Sequence, residues 1–154
     1  MESVRTATTD DLDVLVEFAT ALTTELGPMR GGALWVRRDA RTTELHGTFR
    51  ALLDDPDTVV RIGCVDGTPV GFAVMVIDAL RDGGRLARIT DLLVLEPARG
   101  VGVGEAILDD LMAEAGARGC VGVDALALPG HRSTKNFFEG QGFTARLLTM
   151  HRPL

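Results

Sequence analysis

A buried strand that runs through a row of glycines into a helix limits most strongly how this chain can fold. The segment RLARITDLLVLEP, residues 85–97, is dense enough in apolar residues to be a central strand of a sheet. After Arg99, glycine stands at every second position, at residues 100, 102 and 104. One apolar helical face follows at once, formed by Ile107, Leu108, Leu111, Met112 and Ala115. The sequence therefore predicts a sheet with a helix that starts at the end of this strand.

The segments before this junction predict a strand, two helices and a hairpin. A strand at the N-terminus leads into a helix, capped near Thr9, whose apolar face has the i, i+3, i+4, i+7 spacing. Residues 27–42, rich in Gly and Arg, read as a long loop or lid before a second amphipathic helix. Asp66-Gly67 suits the tight turn between strands 58–65 and 69–77. The two helical faces are Leu15, Phe18, Ala19 and Leu22, and Leu45, Phe49, Leu52 and Leu53.

The segments after the junction predict a further buried strand over residues 120–128, a short helix over 133–142 and a closing strand over 143–154. The complete order is then β-α-α-β-β-β-α-β-α-β. This order is neither a regular βαβ alternation nor two segregated halves. The expected fold class is therefore α/β in the broad sense, an α+β arrangement in which a mixed sheet has helices on both faces.

Length, charge and cysteine content narrow the classes of function. A chain of 154 residues, 45% hydrophobic and 25% charged, predicts a single domain over residues 1–154. It has neither a membrane-spanning run nor the start of a signal peptide, so we expect a cytoplasmic protein. Cys64 and Cys120 read as buried thiols, and three scattered histidines give no metal site. A formal charge of −6 disfavours nucleic acid and membrane as partners.

The glycine-rich junction has the chemistry of an anion site. The first N–H groups of a helix lack partners and lie at the positive end of the helix dipole. Glycines let an anionic group approach these amides, and Arg99 adds a positive charge at the rim. The junction lacks the Lys-Ser/Thr pair of a P-loop, and Ile107 replaces the last glycine of the dinucleotide fingerprint. A phosphate site remains one reading, and a tight turn that only allows close helix packing remains the other.

The pattern R-x-x-G-x-G, here Arg99 to Gly104 after the strand DLLVLEPA, resembles the acyl-CoA pyrophosphate motif of the GNAT superfamily of N-acetyltransferases. The resemblance extends over most of the chain. Residues 4–19 resemble the first strand and helix of the superfamily, and residues 65–77 resemble its β2-β3 hairpin. The segment NFFEGQGF, residues 136–143, resembles the F-Y-x-x-x-G-F ending of its last helix. The implied fold is a three-layer one with a mostly antiparallel sheet and a splayed β4/β5 pair.

The resemblance also implies acetyl-CoA as a cosubstrate and a set of residues that bind it. Backbone groups of Leu92, Leu93 and Val94 would pair with the pantetheine arm where the central strand splays from its neighbour. The pyrophosphate would lie on the amides of the loop and helix start, with Phe138 as a further contact. The loop residues are Arg99, Gly100, Val101, Gly102, Val103, Gly104 and Glu105.

The reaction that the resemblance implies is direct attack of an amine on the acetyl thioester, with a general base, backbone N–H groups that polarise the carbonyl, and an acid for the departing thiolate. In many relatives the acid is the tyrosine of F-Y-x-x-x-G-F. This chain has Phe137-Phe138 there and contains no tyrosine. That assignment fails, although a thiol of pKa about 8.5 can leave without a dedicated acid.

Three residues are candidates for the base. His131 lies where relatives often carry an asparagine, and a histidine can accept a proton near neutral pH. Asp124 stands in an apolar strand at the alternation that points toward the cleft, so its pKa could be raised. Asp91 ranks third, because alternation puts it on the face opposite Thr90 and Leu92. The alternatives are an exposed loop histidine and carboxylates paired with arginine or backbone amides.

The acceptor is an amine, small molecule or protein, that the sequence does not identify. Met29, Trp35 and the arginines of residues 27–42 would suit an apolar or aromatic acceptor with an acidic group. Two hypotheses follow, an acetyl-CoA-dependent N-acetyltransferase and a non-catalytic acyl-CoA or CoA-binding regulatory module that lost the acid. A homodimer through the closing strand is left open.

Overall fold

The computed structural model describes residues 1–154 and arranges them as one five-stranded sheet between two layers of helices. Two short 3-10 turns, Thr9–Asp11 and Glu96–Ala98, connect elements. The strands are β1 (Glu2–Thr6), β2 (Thr58–Val65), β3 (Thr68–Ala79), β4 (Arg85–Val94) and β5 (Val123–Ala125). The helices are α1 (Leu12–Leu26), α2 (Gly32–Arg38), α3 (Leu45–Asp54), α4 (Val103–Ala117) and α5 (Arg132–Gly140). None of these helices is both long enough and apolar enough to span a bilayer.

The sheet is mixed, as the sequence predicts. Its strands lie in the order β1-β2-β3-β4-β5, and the first four are antiparallel neighbours. β5 is parallel to β4, a pairing that the crossover through α4 makes possible. The β2-β3 turn has positive φ at Asp66 and Gly67, as the Asp-Gly pair predicts.

Each face of the sheet carries its own apolar core. The apolar faces of α1 and α3 pack on one side with Ile62 and Phe72, and that of α4 packs on the other with Met75 and Ile89. Gly63 allows α4 to approach closely, because a Cβ there would lie 2.7 Å from Val103 and Ile107 side-chain atoms. The predicted helical faces are confirmed, except that Met112 is exposed.

Three predictions about secondary structure are wrong. The stretch 27–42 contains α2, whose Trp35 packs against the core together with Met29 of the loop before it. The strand predicted over residues 120–128 is only three residues long. Residues 144–154 form no strand. In the last two cases the apolar, strand-like pattern is present, but the first segment pairs with β4 over only three residues and the second pairs with no strand. Pairing as well as pattern is needed to make a strand.

Candidate active site

A cleft opens where β5 stops pairing with β4. The last bond between the two strands runs from the Leu126 amide to the Ile89 carbonyl, at 3.4 Å. Beyond it the rest of β4 has no strand on that side, and the ends of α1, α4 and α5 surround the gap. The lining residues are Leu22, Glu25, Leu92, Leu93, Val94, Ala98, Arg99, Gly100, Gly104, Glu105, His131, Ser133, Thr134 and Phe137.

The start of α4 presents unpaired backbone donors to this cleft. Gly100 and Gly102 have φ of 82° and 93°, a conformation that favours glycine. This path leaves the backbone N–H groups of residues 100–105 without a hydrogen-bond acceptor in the protein. A Cβ on Gly100 would have no heavy atom within 4 Å, so the approach is open. Six consecutive free amides at a helix N-terminus fit a phosphate or pyrophosphate group.

Arg99 lies at the rim of the cleft, but its guanidinium group is already paired with a carboxylate. Its Nη2 is 2.9 Å and 2.8 Å from the two carboxylate oxygens of Glu25, on the last turn of α1. Its Nε donates to the Val94 carbonyl at 2.8 Å. Arg99 therefore joins α1 to the end of β4, and an incoming anion would share it with Glu25.

His131, just before α5, faces the same pair. Its Nε2 lies 3.9 Å from Glu25, and its Nδ1 lies 2.7 Å from the Thr134 hydroxyl. Burial lowers the pKa of His131, Glu25 opposes this change, and Arg99 adds to it. The ring is therefore neutral at physiological pH and able to accept a proton. The alternative of an exposed loop histidine does not hold, because the side chain is mostly buried.

The two phenylalanines of α5 have separate roles. Phe137 lines the cleft, and its ring lies 3.6 Å from where a Cβ on Gly104 would be. Phe138 is buried in the core under α4, with its ring centroid 5.2 Å from that of Phe143. The helix turns the Phe138 side chain toward the core and away from the cleft lining, so its expected contact with the cofactor stays a prediction without support from this geometry. Val103 is likewise buried, and only its backbone amide is available.

Asp91 is buried at a bulge in β4. Val74 pairs with Asp91 and Met75 pairs with Ile89, so Thr90 is the extra residue. The bulge brings Thr90 and Asp91 side by side, with the Thr90 hydroxyl 2.6 Å from the Asp91 carboxylate. The expectation that they lie on opposite faces is therefore wrong, because simple alternation ignores the bulge. Arg41, from the loop between α2 and α3, completes the cluster 3.1 Å from Asp91.

Burial raises the pKa of Asp91, while Arg41 and the Thr90 hydroxyl act in the opposite direction. The side chains of Arg41 and Asp91 are only 17% and 4% exposed. This ion pair fastens the α2-α3 loop to the strand that borders the cleft. Removal of either partner alone would leave the other as an uncompensated buried charge.

We expect Arg41→Met to lower the free energy of unfolding at neutral pH by about 3 kcal/mol, because Asp91 is then buried without its partner. Loss of the arginine raises the pKa of Asp91 further. The folded state gains stability from protonation as pH falls through this raised value, so the deficit relative to the parent protein shrinks at acidic pH. Denaturant unfolding at neutral and acidic pH measures both effects.

Arg38→Met is the matched control, since its pair with Asp39 is on the surface and Arg38 is 83% exposed. It should change stability by less than about 0.5 kcal/mol. Arg41→Met with Asp91→Leu removes both charges and should restore much of the lost stability. Equal effects of Arg41→Met and Arg38→Met would show that the buried pair contributes nothing particular.

Asp124 does not have the raised pKa that its apolar surroundings suggest. Arg146 binds its carboxylate with two guanidinium nitrogens, Nε at 2.7 Å, and this pairing lowers the pKa of Asp124. Arg88, its neighbour in the β4-β5 register, adds to the effect. The expectation of a raised pKa is therefore wrong, and the alternative of a carboxylate paired with arginine holds. Neither Asp124 nor Leu126 lines the cleft.

The structure thus separates the three candidate bases. His131 lies in the cleft beside the glycine loop, Asp91 is held beneath the α2-α3 loop, and Asp124 is tied to Arg146. Sequence reasoning missed Glu25, Thr134 and Phe137. Thr134 and Phe137 follow His131 at helical spacing, a signal available in the sequence, whereas no local pattern marks Glu25.

Comparisons with known proteins agree with this geometry. The profile of the family described as "Acetyltransferase (GNAT) family" matches residues 26–143, which include the glycine loop and His131. No curated protein sequence is significantly similar to this chain.

Solved structures share the fold over the full length of the chain. An acetyltransferase from Trypanosoma brucei is 22% identical, with a TM-score of 0.72 and full coverage of both chains. Glucosamine-6-phosphate N-acetyltransferase from Arabidopsis thaliana is 19% identical, with a TM-score of 0.73, 99% coverage of this chain and 98% of the other. A transcriptional regulator from Bacillus halodurans C-125 is 19% identical, with a TM-score of 0.77 and full coverage of both chains. At these identities the likeness shows the fold alone.

Proposed function

Because the chain belongs to the GNAT acetyltransferase family, we propose that it is an N-acetyltransferase that transfers the acetyl group of acetyl-CoA to a primary amine of a small molecule or protein. One observation carries this proposal. Six consecutive unpaired amides at the start of α4 lie in the same cleft as an unpaired strand end and a neutral histidine. Such a cleft suits a long cosubstrate with a charged middle and a reactive end.

The residues present fit acetyl-CoA. The amides of residues 100–105 would hold the pyrophosphate, and Arg99 would share its charge between that group and Glu25. The free side of β4 at Leu92, Leu93 and Val94 would take the pantetheine arm as an added strand. The Val94 carbonyl is already bonded to Arg99, so the arm would rely on the other backbone groups unless Arg99 moves.

The cosubstrate supplies an acetyl group activated as a thioester, and the acceptor amine attacks it directly. A C–N bond forms, the C–S bond breaks, and no acyl-enzyme is needed. The amine must first lose a proton, and we assign its removal to His131, whose lowered pKa keeps the imidazole neutral. The Thr134 hydroxyl holds the ring, 2.7 Å from Nδ1 and 3.2 Å from Nε2, and one of these two nitrogens takes the proton.

The tyrosine that acts as the acid in many family members is absent, and the buried Phe138 stands at its position. Solvent, or the nitrogen that becomes positively charged on attack, would then give a proton to the thiolate, which is a tolerable leaving group at a thiol pKa of about 8.5. Asp91 is fully engaged by Arg41 and Thr90, so we assign it to positioning of the α2-α3 loop.

The structure leaves fewer side chains of residues 27–42 exposed to select an acceptor than the sequence predicts. Met29 and Trp35 pack against the core and are only partly exposed, so each offers a reduced apolar surface to an acceptor. Arg41 is paired with Asp91, whereas Arg37 and Arg38 are exposed. Residues 27–42 therefore offer less apolar surface for an aromatic acidic acceptor than the sequence predicts. The amine class has to be found by experiment.

Amine-dependent release of CoA thiol tests the proposal. The purified chain and acetyl-CoA are incubated with aliphatic diamines, amino sugars, aromatic amines and peptides with a free N-terminus or lysine. Thiol release is followed, and acetylated products are identified by mass spectrometry. We expect release that requires one of these amines and a product that gains one acetyl group on nitrogen.

The absence of tyrosine favours a second candidate function, a non-catalytic acyl-CoA or CoA-binding module with a regulatory role. The same experiment separates the two. Tight acetyl-CoA binding without thiol release by any amine class would favour the binding module, and amine-dependent release would exclude it.

A further inference from the structure

Glu25, Arg99 and His131 meet in the cleft beside the glycine loop, and the function proposed above gives Glu25 no role in the chemistry. Both carboxylate oxygens of Glu25 lie against Nη2 of Arg99, at 2.9 Å and 2.8 Å. One of these oxygens also lies 3.9 Å from Nε2 of His131. The carboxylate therefore stands between a guanidinium and the ring to which we assign removal of the proton.

The two contacts of Glu25 are unequal. Its distance to Arg99 is that of a charge-assisted hydrogen bond, whereas its distance to His131 is too long for a hydrogen bond. The Arg99 side chain is 45% exposed, and those of Glu25 and His131 are 25% and 15% exposed. Arg99 is therefore the partner with room to move, and it directly precedes the free amides of residues 100–105.

We propose that Glu25 is a positioning residue that links the anion site to the base: a pyrophosphate bound beside Arg99 weakens the Arg99 contact, and the Glu25 carboxylate then pairs with the imidazole of His131. The inference rests on the proposed function, since it needs a pyrophosphate at the glycine loop and His131 as the base. Two anionic groups compete here for one guanidinium, and the carboxylate that loses it has a second partner close by.

The direction of the effect follows from the charges around the ring. Burial and Arg99 lower the pKa of His131, and Glu25 opposes them. A weaker Arg99 contact strengthens the action of Glu25 and reduces that of Arg99, so both changes raise the pKa of His131 from its lowered value toward its ordinary one. A base whose pKa lies nearer to the working pH takes the proton of an amine more readily.

Other charged side chains lie on the elements around His131 without bonding to its ring. They are Arg30 of the loop before α2, Glu105 of α4, and Arg132 and Lys135 of α5. The ring contacts only the Thr134 hydroxyl and the Glu25 carboxylate within 4 Å. Glu25 is therefore the charged group placed to act on His131 directly.

NMR titration of the three histidines in the full chain tests this link, with His131→Asn to identify the His131 signal. CoA is the probe, because it carries the pyrophosphate and has no acetyl group to transfer. We expect CoA to raise the pKa of His131 in the parent protein, and we expect Glu25→Gln to lose most of that rise. In the thiol-release assay, the acidic limb of the Glu25→Gln pH profile should lie at lower pH than that of the parent protein.

Arg99→Gln tests the same link without a ligand. Removal of the guanidinium leaves Glu25 with His131 as its partner, so the pKa of His131 should rise. Glu25→Gln should then lower this pKa by more in the Arg99→Gln protein than in the parent protein, a non-additivity that measures coupling through Glu25. A chain that does not bind CoA would contradict the proposed function, and this comparison would still decide whether Arg99 withholds Glu25 from His131.

Glu17→Gln is the matched control, because it makes the same change at an exposed side chain of α1 that does not line the cleft. It should leave the pKa of His131 and its response to CoA as they are in the parent protein. Circular dichroism checks that each variant is folded. The proposal is overturned if Glu25→Gln keeps the full response to CoA, or if it lowers the pKa of His131 equally with and without Arg99.

Discussion

Gly102→Glu is expected to weaken acetyl-CoA binding at least about a hundredfold, the largest effect on binding that the structure predicts. Gly102 is the N-cap of α4 with φ of 93°, which a glutamate adopts only with strain. A Cβ there would lie 3.8–3.9 Å from atoms of the Glu2 side chain, so two carboxylates would meet beside the free amides. Negative charge at that place repels the pyrophosphate and competes for its donors. Calorimetric titration of the variant measures the loss.

Gly83→Glu separates the loss of the anion site from strain and added charge. Gly83, in the β3-β4 turn, has φ of 88° and no heavy atom within 4 Å of a built Cβ. The substitution is chemically identical and lies at a turn that contributes nothing to the cleft. It should bind acetyl-CoA as the parent protein does. Equal losses in the two variants would mean that the glycine loop is a structural turn, the alternative that the sequence leaves open.

His131→Asn is expected to lower kcat about a hundredfold or more and to leave acetyl-CoA affinity nearly unchanged, because the amide cannot accept the proton of the amine. The pH profile is the more specific readout. Burial lowers the pKa of His131 below 6.5, so activity should fall as pH drops through that lowered value and the imidazole becomes protonated. The variant should lose this acidic limb. Steady-state kinetics over the pH range, with the amine found by the thiol assay, measures both.

His151→Asn is the control, since His151 is exposed and lies outside the cleft. It should keep the rate and the acidic limb of the parent protein. A His131→Asn variant that retains that limb with only a lower rate would show that His131 positions the cosubstrate and that another group takes the proton.

The glycine loop is the part of the site that could be predicted most completely from the sequence. Its spacing, the preceding apolar strand and the amphipathic helix are all local, and local patterns fix strand, turn and helix start together. The expected place of Leu92, Leu93 and Val94 at the splayed end of this strand came from the family resemblance. The hairpin at Asp66-Gly67 is predictable because its turn signal is local.

The parts that escaped prediction depend on distant contacts. The bulge at Thr90 depends on the register of β4 with Val74 and Met75 of β3. Arg41 pairs with Asp91 from 50 positions away, and no periodicity records either contact. Arg146, near the C-terminus, binds Asp124 and lowers the pKa that the apolar strand predicts to be raised. Glu25 enters the cleft because α1 ends near the end of β4, where Arg99 binds it. A single sequence shows which residues are titratable. Their pKa values depend on the burial and the charged partners that the fold gives them.

Residues 144–154 show that secondary structure, too, depends on partners that the sequence does not reveal. Their apolar pattern is that of a strand, yet a strand exists only where a neighbour provides hydrogen bonds. β5 pairs with β4 over three residues, and residues 144–154 make no backbone hydrogen bond with it. An apolar alternation alone therefore did not make this stretch a strand.

Calorimetric titration of the parent protein with acetyl-CoA tests the central claim most directly. The account predicts one site per chain with an affinity of roughly micromolar order, which CoA competes for and free phosphate occupies only weakly. Absence of heat and of competition in a protein shown to be folded would contradict it. The free amides of residues 100–105 would then belong to a structural turn, and the transferase proposal would fall with them.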